Sequence, residues 1–297
     1  MGGLAACGPL LVVDGPLLLY RSFFGVPDTV RDAAGQPRNA LLGSVNLLLR
    51  AVAETGPRAV VVCFGAQDAP YRVALYSGYH ATRPPMPEAL SRQFDRAPEL
   101  FASFGWRVES SADLEADDLL GSLARVEEQA GGSTLILTGD RDMYQCVTER
   151  TQVLYLSRGS AGFQRLGPEE VRHRYGVSPD QVPDFIALRG DPSDGLPGAP
   201  GIGQKTAADL LCRHGTLERV LEAACAVDGG AERPRIAAAL RRNAGTLRSF
   251  RAIAQLQTVA VTRPADRVTD RVGGAAAART LGMNALADRL DRHVAGV

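Results

Sequence analysis

Lysine is almost absent from this 297-residue sequence: Lys205 is the only one, and arginine supplies the remaining positive charge. The 33 basic and 33 acidic residues cancel, so the chain lacks the strongly basic balance of many nucleic-acid binders. That balance alone excludes little, because a cluster of acids would mask a basic face in the sum. The position of the single lysine is therefore more informative than the net charge.

Cysteine is also scarce, with five residues that are scattered and never in a Cys-x-x-Cys arrangement. This spacing argues against a disulfide framework and against a zinc site. No run approaches the roughly 18 apolar residues of a membrane span, and residues 1–8 lack the basic start of a signal peptide. We therefore expect a cytoplasmic protein with no membrane partner, and 45% hydrophobic content suits a packed core.

Three carboxylates occupy four positions within Leu-Glu-Ala-Asp-Asp-Leu-Leu-Gly, residues 114–121, at the start of a predicted buried helix. At helical spacing Glu115 and Asp118 share a face, and Asp117 lies about 100° round the axis. A helix start stabilises each charge by only about 0.3–1 kcal/mol, less than the repulsion expected in a poorly solvated cleft. A divalent metal is the expected remedy, and a solvated acidic helix start is the alternative. The N-cap of this helix is expected among Ser110, Ser111 and Asp113.

Acids also follow two predicted strands. Residues 10–13 have the apolar composition of a buried strand that ends on Asp14, and residues 133–137 precede Thr-Gly-Asp-Arg-Asp-Met. In open α/β sheets, functional groups gather beyond the carboxyl ends of strands, which makes Asp14 a candidate ligand. Asp140 and Asp142 lie two apart, so both side chains can reach one ion if the chain is extended there.

The remaining pattern predicts an α/β fold with a mostly parallel sheet of about five strands and helices between them. Further strands are expected at residues 58–64, 106–109 and 151–157. Residues 71–105 are expected to form two helical pieces around the kink Arg83-Pro84-Pro85-Met86-Pro87. From residue 167 the pattern changes to helices and loops, which predicts an α/β core at 1–166 and a helical region at 167–297. Helices in the last part are expected at 217–225, 236–243, 246–256 and 280–292.

Residues 198–208 have the pattern of a glycine hairpin that opens a helix. Exposed N–H groups at such a helix start favour a phosphate, and Lys205 adds a positive charge. A Walker A loop is excluded, because Gln204 stands where glycine is required and no strand precedes the loop. A glycine-rich helix connection is the alternative. Four arginines further on form either a DNA-facing stripe or a solvated helix face: Arg241, Arg242, Arg248 and Arg251.

Five motifs, in the same order along the chain, resemble the prokaryotic 5′ nuclease family, which comprises the 5′-3′ exonuclease domain of bacterial DNA polymerase I and the flap endonucleases. They are Val-Val-Asp-Gly with Tyr20-Arg21, Tyr79 with Arg83-Pro-Pro-Met-Pro, Leu-Glu-Ala-Asp-Asp, Thr-Gly-Asp-Arg-Asp-Met, and Gly-Asp-Pro-Ser-Asp-Gly-Leu-Pro-Gly-Ala-Pro-Gly-Ile-Gly-Gln-Lys-Thr-Ala. The resemblance spans roughly residues 10 to 261. No polymerase region follows, so we expect the stand-alone form.

The resemblance implies an α/β nuclease core with a twisted, mostly parallel sheet, flanking helices and a helical arch at about 71–105. It also implies a helix-hairpin-helix-type (H3TH) region that grips duplex DNA. The implied activity is structure-specific 5′ nuclease activity, both 5′-3′ exonuclease and flap endonuclease, in DNA replication and repair. Two divalent ions about 3.5–4 Å apart would support hydrolysis of the phosphodiester.

The resemblance assigns site residues position by position. One metal site would take Asp14, Glu115, Asp117 and Asp118, and the other Asp140, Asp142, Asp191 and Asp194, with Mg²⁺ or Mn²⁺ as the ions. Arg21 and Arg83 would stabilise charge on the scissile phosphate, Tyr79 would stack on an unpaired base, and His80 would stand beside them. Duplex phosphates would be held by Gly198, Gly201, Gly203, Lys205 and Thr206, with a potassium ion at the 198–206 hairpin. The expected partners are 5′ flaps, 5′ ends and duplexes with single-strand junctions, together with RNA–DNA hybrids, and a monomer is expected.

Two positions depart from the family pattern. Gly65 stands where the family usually has an aspartate, so one metal-site acid is missing, and Asp68 is the nearest acid that can compensate. His80 stands where the family usually has lysine, so transition-state stabilisation there is expected to be weaker or pH-dependent. We expect an active enzyme with a preference for manganese or a weaker first metal site. The alternatives are a catalytically weakened or inactive DNA-junction-binding protein and a PIN-like ribonuclease, although the latter gives no reason for the hairpin.

Overall fold

One six-stranded sheet forms the centre of the protein, for which the computed structural model describes residues 8–156, 162–226 and 234–294. The strands are β1 (Leu10–Asp14), β2 (Ala59–Phe64), β3 (Arg107–Ser110), β4 (Thr134–Thr138), β5 (Thr151–Tyr155) and β6 (Gln164–Leu166). Their order is β3-β2-β1-β4-β5-β6, with β6 antiparallel to β5 and all other pairs parallel. The predicted α/β fold with a mostly parallel sheet is confirmed. The three-residue β6 was not predicted, and the predicted last residue of the fifth strand, position 157, lies outside the described residues.

Strands β1, β2 and β4 are buried along their whole length and are rich in leucine and valine. Such continuous apolar runs are typical of parallel strands that are covered on both faces. The chain proceeds from β1 to β2 and β3 on one side, then crosses to β4 and β5 on the other. The chain adds strands outward from β1 on one side and outward from β4 on the other. A crevice therefore lies between β1 and β4 at the carboxyl ends of the strands, where α/β proteins bind their ligands.

Twelve helices flank or extend the sheet within the described residues. They are α1 (Gly15–Gly25), α2 (Asn39–Thr55), α3 (Pro70–Leu75), α4 (Glu88–Ser103), α5 (Ala116–Gln129), α6 (Pro168–Tyr175), α7 (Val182–Arg189), α8 (Gln204–His214), α9 (Leu217–Cys225), α10 (Pro234–Ala254), α11 (Arg271–Thr280) and α12 (Asn284–Val294). Two helical pieces, α3 and α4, flank residues 76–87, in agreement with the predicted kink. No helix in the described part of the chain is long and apolar enough to cross a bilayer.

The helix α10 differs from the sequence prediction, which divided this stretch into two helices. Its buried face continues through Leu240, Leu247 and Phe250 across Gly245. A glycine inside a helix costs only about 1 kcal/mol relative to alanine, so the continuous apolar face outweighs it. The helix α11 was also not predicted, since its sequence is mostly glycine and alanine.

Two apolar cores lie on opposite faces of the sheet. The first contains residues of α5 together with those of α7 to α10. The second contains residues of α1, α2 and α4, and α11 and α12 pack into it. The end of the predicted helical region 167–297 therefore returns to the α/β core, and the predicted boundary between residues 166 and 167 stays a prediction.

Candidate active site

Two acids lie at the ends of adjacent strands, in the crevice between β1 and β4. Asp14 is buried and caps α1: its Oδ1 accepts a hydrogen bond from Leu17 N at 2.9 Å, and its Oδ2 accepts one from Thr138 Oγ1 at 2.9 Å. The Thr138 hydroxyl also accepts from Asp140 N at 3.0 Å, which ties the two strand ends together. Burial raises the pKa of Asp14 despite its donors. Burial, with repulsion from neighbouring acids, raises the pKa of Asp140 to about 7.

The acid cluster after β3 begins α5, and Glu115 itself is the N-cap. Asp118 Oδ2 accepts from Glu115 N at 3.3 Å, which closes a capping box around the first turn. The predicted N-caps were therefore wrong. Ser111 instead stabilises the preceding turn, since its Oγ accepts from the backbone N of Asp113 and Leu114.

Among the eight predicted metal ligands, Asp117 and Asp142 are the acids with the fewest hydrogen-bond partners. In the described ranges, no hydrogen-bond donor contacts the carboxylate of either residue. Both line one small cavity together with Asp194, so α5, the 3-10 turn Asp142–Cys146 and the loop 190–198 meet there. Burial raises the pKa of both carboxyls well above the usual range, and repulsion from Asp140 adds to it.

Asp191 and Asp194 lie in the loop between α7 and α8. The Asp191 carboxylate accepts from Ser193 N at 2.9 Å and pairs with Arg189 at 3.1 Å. Asp194 Oδ1 lies 3.1 Å from His80 Nε2 and 3.2 Å from Arg83 Nη2. Of this pair, only Asp194 lines the cavity of Asp117 and Asp142, so the structure brings Asp194 to the other acids more closely than Asp191.

The donor chemistry of this crevice fits a divalent metal. Asp14, Asp117, Asp140 and Asp142 are oxygen donors whose pKa values are raised by burial and by mutual repulsion, and a bound cation would relieve both. In residues 8–156, 162–226 and 234–294, however, no three His, Cys, Asp or Glu side chains are arranged to hold a single ion. Protein donors engage several of the predicted ligands instead. The eight-residue metal assignment therefore stays a prediction.

The raised pKa of Asp140 predicts a pH-dependent stability of the metal-free protein. A carboxyl with a folded-state pKa of about 7 binds a proton that the unfolded chain releases near pH 4, so its contribution to stability is lost as pH rises through this window. The Asp140→Asn variant lacks this carboxyl. Its free energy of unfolding should therefore increase relative to that of wild type as the pH rises from 4 to 7, by up to about 1.4 kcal/mol per pH unit. Urea unfolding in chelator at several pH values measures this difference. A stability difference that does not change with pH would contradict it.

Arg72, which the sequence reasoning missed, lies beside this crevice. Its side chain is 4% exposed and pairs with Glu115 Oε2 at 2.6 Å and Asp118 Oδ1 at 3.1 Å. The nearest sequence signal was its place in the short helix after Pro70, where a lone arginine among apolar residues indicates a buried partner. This contact occupies two of the predicted metal ligands with a protein cation.

The predicted catalytic residues of the arch are held close to the acids. Tyr79 is 4% exposed, its hydroxyl donates to Glu115 Oε2 at 2.9 Å, and its ring stacks on His80 at 3.7 Å. In this conformation the Tyr79 ring is not available to a base, and its stacking role stays a prediction. His80 is buried with a left-handed backbone (φ 53°), while Arg83 is half exposed. Arg21 Nη1 donates to Leu156 O at 2.9 Å.

The backbone around Gly65 is closed against the start of α5. A Cβ on Gly65 would lie 2.4 Å from Ala116 N and 2.5 Å from Leu114 O. Asp68, the nearest acid in sequence, does not fill the place of the missing ligand, because its Oδ1 lies 2.7 Å from His80 Nδ1. The site therefore lacks an acid at the end of β2, as expected. Asp68 instead contacts His80 of the arch.

This close approach predicts that Gly65→Ala destabilises the protein. Backbone atoms cannot yield as a flexible side chain does, so we expect a loss of about 1–3 kcal/mol. The matched control is Gly245→Ala in α10, where a Cβ meets open space and should add about 0.5–1 kcal/mol of helix stability. Denaturant unfolding of both variants checks the sign. Equal effects at the two positions would contradict the packing around Gly65.

The glycines of the hairpin differ in their surroundings: Gly198 is packed against backbone, whereas Gly201 and Gly203 are not. Gly198 has φ +67°, and a Cβ there would lie 2.4 Å from Gly190 N, so this glycine is required where two segments cross. Gly201 and Gly203 face open space. Gly203 is the N-cap of α8, so Lys205 and Thr206 fall in its first turn. The geometry suits a phosphate at the helix start, and the DNA and potassium assignments stay predictions.

The four-arginine stripe predicted on α10 is largely engaged within the protein. Arg248 pairs with Glu218, Arg251 pairs with the buried Asp184, and Arg241 donates to Ala224 O. Three of the four arginines therefore have partners within the protein, which neither the DNA-facing stripe nor the solvated helix face predicted.

A mostly parallel sheet with buried acids at its carboxyl edge, joined to a helical hairpin region, defines a class of α/β nucleases. Family models agree with this class. The model of the 5′-3′ exonuclease N-terminal resolvase-like domain matches residues 9–176, and that of the 5′-3′ exonuclease C-terminal SAM fold matches residues 177–269. The chain belongs to the 5′-3′ exonuclease family.

Relatives of this chain include a 5′-3′ exonuclease of Mycobacterium tuberculosis strain H37Rv, which is 38% identical over 236 residues, 73% of this chain and 74% of the relative. The thermostable DNA polymerase I of Thermus thermophilus is 41% identical over 215 residues, 72% of this chain. The chain spans about a quarter of the length of such polymerases, 25% in this case.

Solved structures share the fold at low sequence identity. A bacteriophage T5 5′-exonuclease with bound zinc has a TM-score of 0.67 at 15% identity, with 97% of this chain and 99% of that chain covered. The catalytic core of Rad2 in complex with a DNA substrate has a TM-score of 0.66 at 14% identity, with 97% and 91% covered. Both likenesses extend over the sheet and the helical region.

Proposed function

We propose that this protein is a divalent-metal-dependent 5′ nuclease that cleaves DNA at 5′ flaps and 5′ ends during replication and repair. The observation that carries the proposal is the convergence of Asp14, Asp117, Asp140 and Asp142 between β1 and β4, in a member of the 5′-3′ exonuclease family. The T5 and Rad2 structures, described with metal ions or with DNA substrate, support metal and DNA as ligands here.

The acids of the crevice would hold Mg²⁺ or Mn²⁺, which supplies activation of water and stabilisation of the departing oxyanion when bound. Asp117 and Asp142 are the strongest candidates, since no protein donor of the described chain occupies their carboxylates. Asp14 and Asp140 lie beside them on the rigid ends of β1 and β4, which limits their movement. Asp194 faces the same cavity from the loop before α8.

The basic residues would bind the substrate around these acids. Arg83 is half exposed beside Asp194, so its guanidinium can contact a phosphate at the edge of the crevice. Gly201, Gly203 and Lys205 would hold a duplex phosphate at the start of α8 without reading sequence. RNA–DNA hybrids as substrates, a potassium ion at the hairpin, a monomeric state and a cytoplasmic location stay predictions.

A duplex with a 5′-labelled flap tests the proposal in manganese, magnesium or chelator. We expect release of a short labelled fragment with either metal and no release in chelator. The same substrate without a flap, labelled at a recessed 5′ end, measures the exonuclease contribution. Cleavage that persists in chelator would contradict the metal dependence.

A junction-binding protein without catalysis is the second candidate, and two observations favour it. Gly65 supplies no acid, and His80 and Arg83 already engage Asp194. This candidate predicts that the protein shifts the flap substrate in a gel at every metal concentration without cutting it. The flap assay therefore separates the two candidates directly.

For Lys205→Ala we expect weaker duplex binding with a shallower salt dependence, because one phosphate contact and its released counterion are lost. The slope of log K against log salt should fall by about 1. Fluorescence anisotropy at four salt concentrations measures it. The control is Arg50→Ala, since Arg50 pairs with Glu54 on α2, outside the helical region. An unchanged slope for Lys205→Ala would remove this lysine from the phosphate contacts.

A further inference from the structure

The Glu115 carboxylate is saturated by donors from the protein. Arg72 pairs with Oε2 at 2.6 Å, Tyr79 OH donates to the same oxygen at 2.9 Å, and Ala69 N donates to Oε1 at 2.9 Å. The residue is only 8% exposed. A metal ion at this carboxylate would have to displace at least one of these donors.

Asp118 is occupied in the same way and is fully buried. Its Oδ1 accepts from Gln257 N at 2.8 Å and from Arg72 Nη2 at 3.1 Å, and Tyr71 OH lies 3.3 Å from both oxygens. The Arg72 guanidinium is fixed in turn, since its Nε donates to Ile253 O at 3.1 Å. Arg72 therefore joins two acids of α5 to the end of α10 in one network of hydrogen bonds.

The neighbouring Asp117 is in the opposite situation. It lies between Glu115 and Asp118 in the sequence, yet the described chain offers no hydrogen-bond donor to its carboxylate. It lines the small cavity with Asp142 and Asp194, and Arg72 lines this cavity as well. Burial and the charges of Asp140 and Asp14 raise the pKa of Asp117 and the charge of Arg72 lowers it, although Arg72 forms its ion pairs with Glu115 and Asp118. The three acids that the sequence groups together thus divide into one that is free to bind an ion and two that already bind a cation of the protein.

The end of β2 supplies no further acid beside Glu115. The backbone at Gly65 lies so close to the start of α5 that it leaves no room for a side chain at this position. Arg72 is then the only cation of the described chain that ion-pairs with Glu115 or Asp118.

We infer that Arg72 is a positioning residue that serves as the fixed counter-cation of Glu115 and Asp118, and that divalent ions bind only on the side of Asp14, Asp117, Asp140 and Asp142. The inference rests on the proposed function for the identity of the metal. It narrows the predicted first metal site from four acids to two, Asp14 and Asp117. It also gives Glu115 and Asp118 a different role, which is to fix the start of α5 and thereby the position of Asp117.

Calorimetric titration of Mn²⁺ without DNA tests this division with two matched variants on one helix turn. Asp117→Asn removes a carboxylate ligand and should weaken Mn²⁺ binding by at least about tenfold. Glu115→Gln keeps a side-chain oxygen that can cap α5 and hold Asp117 in place, so Mn²⁺ binding should change by less than about threefold. An equal loss in both variants, or no loss in Asp117→Asn, would overturn the inference. Absence of Mn²⁺ binding by the wild-type protein would overturn it as well.

Variants of Arg72 test the counter-cation itself. Arg72→Gln leaves two buried carboxylates without their cation, so its melting temperature in chelator should fall, and Mn²⁺ should raise that temperature more than in wild type. Arg72→Lys keeps the charge and should respond to Mn²⁺ as wild type does. If Mn²⁺ stabilises Arg72→Gln no more than wild type, or if this variant does not fold even with Mn²⁺, Arg72 is not a counter-cation that a metal can replace and the inference fails.

These binding measurements are independent of cleavage. The expected Mn²⁺ pattern together with no cutting of the flap substrate would contradict the proposed function and leave the role of Arg72 intact. Metal-dependent cutting together with equal Mn²⁺ losses in Glu115→Gln and Asp117→Asn would contradict the role of Arg72 and leave the proposed function intact.

Discussion

Asp142→Ala should lower the rate of flap cleavage by about 10³-fold or more while the affinity for the substrate stays within a few-fold of wild type. The reason is the position of Asp142, which faces the cavity that it shares with Asp117 and Asp194 and has no donor of its own in the described chain. A carboxylate in this situation stabilises neither the fold nor a neighbour. A bound cation would offset both its burial and its repulsion from the neighbouring acids.

The measurement is single-turnover cleavage in saturating Mg²⁺, with binding followed separately in chelator. Asp113→Ala is the control, because Asp113 is an exposed acid a few residues before α5 and its side chain accepts no hydrogen bond in the described structure. This control should cleave at a near-normal rate. A near-normal rate for Asp142→Ala would remove it from the metal ligands.

Glu127→Ala should destabilise the protein by about 3 kcal/mol, the largest effect that we expect for a residue outside the site. The Glu127 side chain is 1% exposed and binds Arg58, whose side chain is 2% exposed, with Arg58 Nε 3.0 Å from its Oε1. Arg263 donates to the same carboxylate at 2.9 Å. Burial acts to raise the pKa of Glu127, but hydrogen bonds from the two arginines hold it below its usual value. Loss of the carboxylate leaves Arg58 buried, with Asp266 as its remaining acid.

This network also ties the C-terminal segment to the sheet, since Arg58 Nη1 donates to Pro264 O at 2.8 Å. Denaturant unfolding measures the loss. Glu88→Ala is the control, because the Glu88–Arg92 pair is exposed on α4 and such pairs contribute only about 0.3–0.5 kcal/mol. A loss for Glu127→Ala no larger than that of the control would show that the buried pair is not required for the fold.

Patterns that repeat along the chain predicted much of the fold. The apolar runs at β1, β2 and β4 and the acids that follow β1 and β4 indicated a parallel sheet with ligands at its carboxyl edge, as observed. The strand β6 was not predicted, because three residues carry too little periodicity. The prediction divided α10 at residues 244–245, although the apolar positions Leu240, Leu247 and Phe250 continue across Gly245 at helical spacing.

The candidate site was predicted less completely than the fold. Residue spacing placed Glu115, Asp117 and Asp118 together, but spacing does not show which carboxylate a distant donor will occupy. Arg72 is more than 40 residues away in sequence from Glu115, and only the packing of α3 against the end of α10 brings it to the acids. In the same way, the missing acid at Gly65 was evident, whereas the engagement of Asp68 by His80 depends on the fold of the arch.

The dependence of 5′-flap cleavage on added metal tests the central claim most directly. In a titration of Mn²⁺ into chelator-treated protein, we expect cleavage to rise from zero and to reach a plateau, while the fraction of flap substrate bound stays almost constant. Binding without any cleavage across the whole titration would contradict the account and identify the protein as a junction binder.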